Sequence, residues 1–373
     1  MSILSGANQK RLISLDVFRG VTIAGMILVN NPGTWSAIYP ALKHAEWHRL
    51  TPTDLIFPFF LFIIGVAMPY SFSKRISAGE SKSKLALHVL KRSVILFIIG
   101  MFLTGLPNFN YYNKLILDVL QRIGVVYLFA GIIFIYCNQK WQIIISIFCL
   151  ALYWILMFVI PVPGFGAGDL SLEGNVWSYV DKVLTSGWHN HGEGILSLIS
   201  SIPSVLFGAI TGYWLRSDKN NNEKVNGMFV FGSAGLVVGV VLDMWFPFNK
   251  LLWSSSYVIY TTGMALMFLA FFYYVIDIQE YKKLFFPFVV LGTNATVAFI
   301  FSSLIAKLMG LIKFSVNFGS GPSEISLKTF IYVTFFKGNF SDYNSSLFYA
   351  LTYLLFCLGI MYILYRKKIF IKI

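Results

Sequence analysis

Charged residues are scarce in this chain: 12% of its 373 residues are Asp, Glu, Lys or Arg, whereas about a quarter of a typical soluble domain is charged. This scarcity and a mean hydropathy of +0.71 exclude a disordered chain, a coiled coil and an ordinary cytosolic enzyme. Cysteine is scarce too: Cys137, Cys149 and Cys357 lie in apolar runs and offer neither a disulfide framework nor a metal-binding spacing. The composition is that of a multi-pass membrane protein.

The sequence also lacks the marks of a cleaved leader and of a second domain. Polar residues 1–9 precede Lys10 and Arg11, and no small-residue cleavage site follows the first apolar stretch. We therefore expect an uncleaved first helix. No Pro/Gly/Ser-rich linker, low-complexity tract or obvious internal repeat divides the chain. The prediction is a single transmembrane domain over residues 1–373.

Long apolar runs dominate what remains. A helix needs about 20 apolar residues to cross the hydrocarbon core. Ten runs satisfy this, so the expected fold is an all-α, polytopic helical bundle of 10–11 transmembrane helices. The eleventh candidate, 327–336, is too short to cross and is predicted to be interfacial or re-entrant. The predicted spans are 12–30, 55–73, 89–106, 115–136, 141–160, 195–215, 228–246, 252–276, 285–309 and 346–365.

The net charge of +13 has an uneven distribution. With the N-terminus inside, the inner segments carry more than twice as many Lys and Arg residues as the outer ones. Excess basic charge marks cytoplasmic loops, so both termini are predicted to be cytoplasmic. The basic charge therefore indicates membrane orientation, and we expect no nucleic-acid partner.

Three outer segments, 31–54, 161–194 and 310–345, are much longer than most of the inner connections. They carry Trp35, Trp47, Trp177, Trp188 and four of the five histidines. Long loops in compact proteins are usually functional or disordered. Their aromatic content favours packed covers over the outer mouth of the bundle.

Two pairs of opposite charges lie within the predicted spans or at their edges. Asp16 and Arg19 are three residues apart, and Asp118 and Arg122 are four apart. Both spacings put the pair on one helical face. One interpretation is an ion pair that holds helices in register. The other is a polar lining near the cytoplasmic side that binds a phosphate-bearing ligand, since arginine grips phosphate at two points.

The densest polar cluster is the segment 43–54, which runs directly into an apolar span. His44 suits a general base, with Asp54 or Glu46 to orient it. The alternative is an interfacial histidine on a solvated loop. Thr53 is the predicted N-cap of the second span, and Asp54 a favourable anion in its first turn.

Two further sets of polar residues are ambiguous. Asn30 ends the first span, where an asparagine is either a helix cap or a donor to a developing oxyanion. His189, His191 and Glu193 resemble part of a metal site, but no further ligand is evident and zinc normally has three or four. We therefore expect no metal.

Several stretches together resemble a known family. They are Ser14–Gly20 leading to Asn30, Lys43–Trp47 with Leu50–Pro58, Leu120–Ile123, Gly192–Ser197, Asn249–Tyr257 and Leu291–Ala295. In this order they are similar to the heparan-α-glucosaminide N-acetyltransferase family, which includes bacterial inner-membrane relatives. The resemblance covers nearly the whole chain, and the first two stretches are long enough to be specific. Residues 190–194 depart from the Asp-Pro-Glu-Gly that the family often carries.

The resemblance implies an activity and roles for residues. The family transfers the acetyl group of acetyl-CoA across a membrane to the amino group of glucosamine. The catalytic histidine is matched by His44, with Asn30 at a family asparagine, and Asp54 completes the expected catalytic set. We expect contacts to acetyl-CoA from Asp16, Arg19, Gln121, Arg122 and Asn294, and contacts to the acceptor from Trp47, Glu193 and Trp253.

Other readings of the same residues stay open. An amino-sugar transporter would also use interior Asp, Arg and Asn side chains. An acyltransferase acting on lipid or cell-wall sugars would differ only in its acceptor. The expected partners are acetyl-CoA, an amino-sugar acceptor and membrane lipid, with a homodimer left open. The expected location is a bacterial cytoplasmic (inner) membrane.

Overall fold

A computed structural model describes residues 12–109, 111, 117–184, 194–317 and 322–371. Within this part of the chain the helices are α1 (Ile13–Asn30), α2 (Ile56–Ser77), α3 (Lys82–Gly105), α4 (Val119–Tyr136), α5 (Gln139–Val159), α6 (Val176–Leu184), α7 (Leu198–Arg216), α8 (Asn221–Asp243), α9 (Ser255–Phe272), α10 (Phe286–Thr293), α11 (Ala295–Leu311), α12 (Leu327–Phe335) and α13 (Asp342–Arg366). A π-helical segment, Tyr273–Ile278, extends α9. Two short 3₁₀ helices, Pro40–Leu42 and Pro52–Leu55, precede α2.

The only sheet among the described residues is in two small antiparallel hairpins. Strand β1 (Pro161–Val162) pairs with β2 (Gly166–Ala167). Strand β3 (Lys313–Asn317) pairs with β4 (Pro322–Ser326). Neither hairpin was expected from the sequence. Each lies in a long segment rich in turn-forming residues, and its strands are too short to give a recognisable alternating pattern. The all-α prediction is confirmed for the bundle.

The predicted number of spans is confirmed. Across the described ranges, 9 helices are individually long and apolar enough to cross a membrane. A tenth span consists of α10 and α11, which are bent by 83° at a break. The protein is therefore a multi-pass membrane protein. The interfacial candidate 327–336 forms the short helix α12.

The largest differences from the predicted bounds are at α3 and α8, which begin about two turns earlier than their apolar runs. Both starts are fixed by polar caps: the Ser81 side chain accepts from the backbone N–H of Lys84, and Asn220 and Glu223 form a capping box. As a consequence Lys82 and Lys84, which precede the predicted span, lie inside α3.

The tenth span breaks at Asn294, and the C-terminal segment packs on the break. The Asn294 side chain donates to the carbonyl of Ile369 at 3.0 Å and accepts from the N–H of Ile371 at 3.0 Å. Its amide therefore pairs with two backbone groups of the segment that follows α13 and ties that segment to the break. Nearby, Gly292 lets α10 pack backbone to backbone on α1, because a Cβ there would overlap the carbonyl of Asp16.

The centre of the bundle is built from α1, α2, α4, α7 and α9, which are buried over at least half of their apolar windows. Helices α2 and α7 approach most closely at Gly65 and Gly208. A Cβ on either glycine would overlap a carbonyl of the opposite helix. Small residues give this close contact inside membranes, where helices associate by packing.

Successive spans alternate in direction, so the connections collect at two ends of the bundle. We call the end at which α1 finishes and α2 starts the loop face. Among the described residues it carries the segments 31–51, 160–184, 194–197 and 244–254. The other end, where α2 finishes and α3 starts, is called the short-loop face. The central helices α2, α4, α7 and α9 all begin at the loop face.

Candidate active site

The centre of the loop face is a histidine–carboxylate pair. His44 Nδ1 lies 2.6 Å from Asp54 Oδ1. The Asp54 side chain is 1% exposed, whereas that of His44 is 46% exposed. A buried carboxylate and an accessible imidazole are the arrangement that a general base requires, because the carboxylate orients the ring and the far nitrogen faces incoming groups.

The Asp54 side chain is held in place by hydrogen bonds from the loop that precedes it. Its Oδ2 accepts from the N–H of Ala45 at 3.1 Å, and from the N–H and hydroxyl of Thr51 at 3.1 and 2.9 Å. Thr51 and Asp54 form the capping box of the Pro52–Leu55 turn, and the Tyr257 hydroxyl donates to the Asp54 carbonyl. The predicted cap, Thr53, instead donates to the carbonyl of Ala41.

This network shows which carboxylate contacts His44 and indicates which nitrogen of the His44 ring carries the proton. Asp54 makes the contact, whereas Glu46 is exposed on the same loop. An ionised carboxylate only accepts hydrogen bonds, so the neutral His44 ring carries its proton on Nδ1. The lone pair is then on Nε2, which is the nitrogen available to take a proton.

A lysine that the sequence analysis did not single out completes the cluster. Lys250 Nζ lies 3.3 Å from His44 Nδ1 and 3.4 Å from Nε2. The two loops are tied together where the N–H of Arg49 donates to the carbonyl of Phe248 at 2.9 Å. The sequence signal was present, since Lys250 lies within the family-like stretch 249–257.

Asn30 is exposed at the end of α1, and α1 contacts the Pro52–Leu55 segment that carries Asp54. The capping interpretation applies to its neighbour: the Asn31 amide donates to the carbonyl of Ile27 at 2.8 Å. The Asn30 side chain is therefore an exposed amide on the loop face.

A second polar cluster is buried beneath the loops. Arg122 is fully buried; it donates to the Ser197 hydroxyl and to the carbonyl of Gly194, and its guanidinium lies 4.8 Å from the Trp253 ring. Trp253 is fully buried as well, and its Nε1 donates to Ser204 Oγ at 3.2 Å. Trp253 therefore packs under the site in this conformation.

The expected Asp118–Arg122 pair is replaced by separate contacts. Asp118 caps α4, accepting from the N–H of Val119 at 2.8 Å and from the Thr104 hydroxyl at 3.3 Å. Gln121, fully buried, also donates to that hydroxyl at 3.1 Å. Arg122 thus turns away from Asp118, toward the start of α7.

The Asp16–Arg19 pair is found as expected. Arg19 Nη1 lies 3.3 Å from Asp16 Oδ1 and 3.4 Å from the carbonyl of Gly292. These residues and Asn294 lie in the half of the bundle toward the short-loop face. Gln121 and Arg122 lie toward the loop face. The five predicted acetyl-CoA contacts are therefore divided between the two ends of the bundle.

Aromatic side chains cover the site on one side. Trp47 Nε1 donates to the carbonyl of Leu170 at 2.9 Å, and its ring centroid is 6.4 Å from that of buried Trp177. On the same helix as Trp177, burial raises the pKa of Asp181 to about 6, although the N–H of Ile195 and the charge of Arg122 oppose the shift. Asp181 is therefore a buried carboxylate whose charge changes near pH 6.

Two sequence predictions fall on the segment 185–193. Glu193, expected to contact the acceptor, and the histidines His189 and His191 lie outside the described residues. Elsewhere in the described chain, no group of three or more His, Cys, Asp or Glu side chains is placed to hold a metal ion.

The fold and the site define a polytopic helical membrane protein with a carboxylate-oriented histidine at one mouth. Residues 11–183 match the family model described as heparan-alpha-glucosaminide N-acetyltransferase, catalytic. This range contains His44, Asp54 and Arg122. The resemblance seen in the sequence is therefore confirmed.

Two curated relatives carry the same description. The mouse heparan-alpha-glucosaminide N-acetyltransferase is 28% identical over 336 residues, which cover 74% of this chain and 50% of the relative. The human protein is 29% identical over 330 residues, covering 72% and 49%. The chain spans about half the length of these relatives.

Proposed function

We propose that this protein is a transmembrane N-acetyltransferase. It takes the acetyl group of acetyl-CoA bound from the cytoplasmic side and transfers it to the amino group of a glucosamine-type sugar on the far side. The observation that carries this proposal is the His44–Asp54 pair at the loop face. The family match and the two relatives support the same chemistry.

The proposed reaction assigns one task to each atom of the pair. The acceptor amine attacks the thioester carbonyl, and a C–N bond forms while His44 Nε2 takes the amine proton. Asp54 stabilises the resulting imidazolium through Nδ1. The tetrahedral intermediate then collapses with cleavage of the C–S bond, and the proton passes from His44 to the leaving CoA thiolate.

The developing oxyanion needs donors that are already in place. Lys250, within 3.4 Å of the His44 ring, supplies an ammonium beside the reacting centre. The exposed amide of Asn30, the last residue of α1, supplies a second donor. We assign the negative oxygen of the intermediate to the space that these two groups border.

Replacing Lys250 by methionine keeps most of its volume and removes the charge. We expect the turnover number for acetyl transfer to fall by about 10²-fold, the size of effect seen when one oxyanion donor is lost. Lys250→Arg should restore part of the loss. The matched control is Lys43→Met, which removes an exposed lysine from the same face. Equal turnover in Lys250→Met and Lys43→Met would refute the role of Lys250.

The proposal places acetyl-CoA along the bundle axis. Its phosphates lie toward the basic short-loop face, which carries the Asp16–Arg19 pair, and its pantetheine arm reaches the loop face. Arg122 and Gln121 then contact the acyl end of the ligand. The whole chain acts as one transmembrane domain, and the positive-inside charge bias puts its short-loop face in the cytoplasm. We place it in a bacterial cytoplasmic (inner) membrane, as for the bacterial relatives that its sequence resembles.

The test uses protein reconstituted into vesicles and sorted by orientation. Acetyl-CoA with a labelled acetyl group is supplied on the short-loop side, and glucosamine only on the loop-face side. We expect labelled N-acetylglucosamine to form on the glucosamine side. A panel of lipid-linked and cell-wall amino sugars on that side would identify the preferred acceptor.

The same vesicles distinguish the proposed enzyme from an amino-sugar transporter. A transporter moves labelled glucosamine across the membrane without acetyl-CoA, whereas the proposed enzyme does not. Equilibration of the sugar in the absence of acetyl-CoA, together with no acetylated product from either side, would contradict the proposed function.

A further inference from the structure

An apolar crevice lies away from the active site, on the membrane-facing side of the bundle. It has a volume of about 460 Å³ and is formed between α5, α7, α8 and α9. This volume is within the range of about 300–1,000 Å³ that is common for small-molecule sites. Its lining residues include Ile143, Phe207, Trp214, Phe231, Ile259 and Leu266.

The crevice follows from the way the four helices pair. Helix α8 packs closely on α9 through small residues: Cβ atoms on Gly235 and Gly239 would crowd the α9 backbone. Helix α5 packs on α7 instead. A gap remains between these two helix pairs, and it extends from the short-loop ends of α5 and α7 to the middle of α8.

Physical chemistry restricts what fills this gap. It lies at hydrocarbon depth, and its walls are almost entirely apolar. An empty space would lose dispersion contacts along its whole lining. Water is disfavoured, because a buried water needs two to four polar partners. The matching occupant is a hydrocarbon chain.

The rim at the short-loop face is basic. Lys219 Nζ lies 5.1 Å from the Trp214 ring, and the Trp214 Nε1 donates to the carbonyl of Lys224 at 3.1 Å. Lys140 follows the first residue of α5. Two acids lie in the same segments, Asp218 and Glu223, and the Glu223 carboxylate accepts the N–H of Asn220 within a cap. Three lysines against these two acids leave the rim with a small net positive charge.

We propose that the crevice binds an anionic glycerophospholipid. One acyl chain fills the gap between α5 and α8, and the phosphate meets the lysines at the rim. Basic pockets between transmembrane helices bind acidic headgroups in this way. The bound lipid links α8 to α5 across the gap. This inference is independent of the acetyl-transfer chemistry.

The test is native mass spectrometry of delipidated full-length protein titrated with phosphatidylglycerol or phosphatidylcholine. We expect phosphatidylglycerol to bind at least tenfold more tightly. The double variant Lys219→Gln/Lys224→Gln should lose about tenfold in affinity for it, since each basic residue near the headgroup contributes several-fold. Lys367→Gln, an exposed lysine at the end of α13, should have no effect.

A second variant tests the crevice itself. Ile143→Trp places a large ring in the gap and should abolish tight phosphatidylglycerol binding. Ile144→Trp, on an exposed neighbour outside the lining, is the control and should leave it unchanged. Equal affinity for the two lipids, or equal binding by both tryptophan variants, would overturn the proposal. Displacement of the lipid by inorganic phosphate would instead show a site for free anions.

Discussion

Replacement of His44 by alanine is expected to lower the rate of acetyl transfer by about 10²–10⁴-fold, the usual contribution of a general base. The side chain is 46% exposed, so its removal leaves no large cavity and should not prevent folding. The rate is measured as labelled N-acetylglucosamine formed from acetyl-CoA and glucosamine. Thermal unfolding of the same preparation confirms that the variant is folded.

The control for this variant is Glu46→Ala, which removes an exposed side chain from the same loop and should retain wild-type turnover. If His44→Ala turned over as fast as Glu46→Ala, the imidazole would have no role in the reaction. The wild-type protein also separates two mechanisms. A labelled acetyl group trapped on His44 would show a covalent intermediate, whereas kinetics that require both substrates bound together would show direct transfer.

Hydropathy predicted the ten spans because the membrane imposes one length on every crossing helix. It did not predict where polar helix ends begin. The first turns of α3 and α8 contain lysines, glutamate and asparagines, which a window of apolar residues excludes. Their caps, at Ser81 and Asn220, are the local signals that place these starts. The break at Asn294 was also missed, because a single polar residue in an apolar run does not reveal an 83° bend.

The His44–Asp54 pair could be anticipated because both residues lie on one short polar segment. Spacing alone could not place Lys250 beside them, because it is 206 residues from His44 along the chain. Only tertiary contacts bring it there, including the bond between Arg49 and Phe248. Residues of a site that come from distant loops carry no common spacing, so sequence periodicity cannot assemble them.

The two arginines show a different limit. Arg19 and Arg122 were grouped as one lining near the cytoplasmic side, because an aspartate precedes each of them at helical spacing. However, both lie early in their helices, and the first and fourth spans run in opposite directions. Their starts must therefore lie at opposite faces, as the structure shows. Assigning a direction to each span before its charged residues were grouped would have placed the two arginines at opposite faces.

Asp54→Asn is expected to reduce acetyl transfer by about 10³-fold or more and also to destabilise the protein. An asparagine amide presents N–H groups as well as an oxygen, so it no longer selects the tautomer with the lone pair on Nε2 or stabilises the imidazolium. The buried charge-assisted hydrogen bonds from Ala45 and Thr51 are weakened at the same time, at a cost of about 1–3 kcal/mol.

Thr51→Ala separates these two effects. It removes the hydroxyl bond to Asp54 Oδ2 at 2.9 Å but leaves the contact between Oδ1 and His44 intact. We expect it to lose about 1 kcal/mol of stability while keeping most of the turnover. Turnover and denaturant unfolding, measured in parallel on both variants, distinguish the effect on activity from the effect on stability. If Thr51→Ala lost as much activity as Asp54→Asn, the carboxylate would act by holding the loop, and the orientation of His44 would not explain its effect.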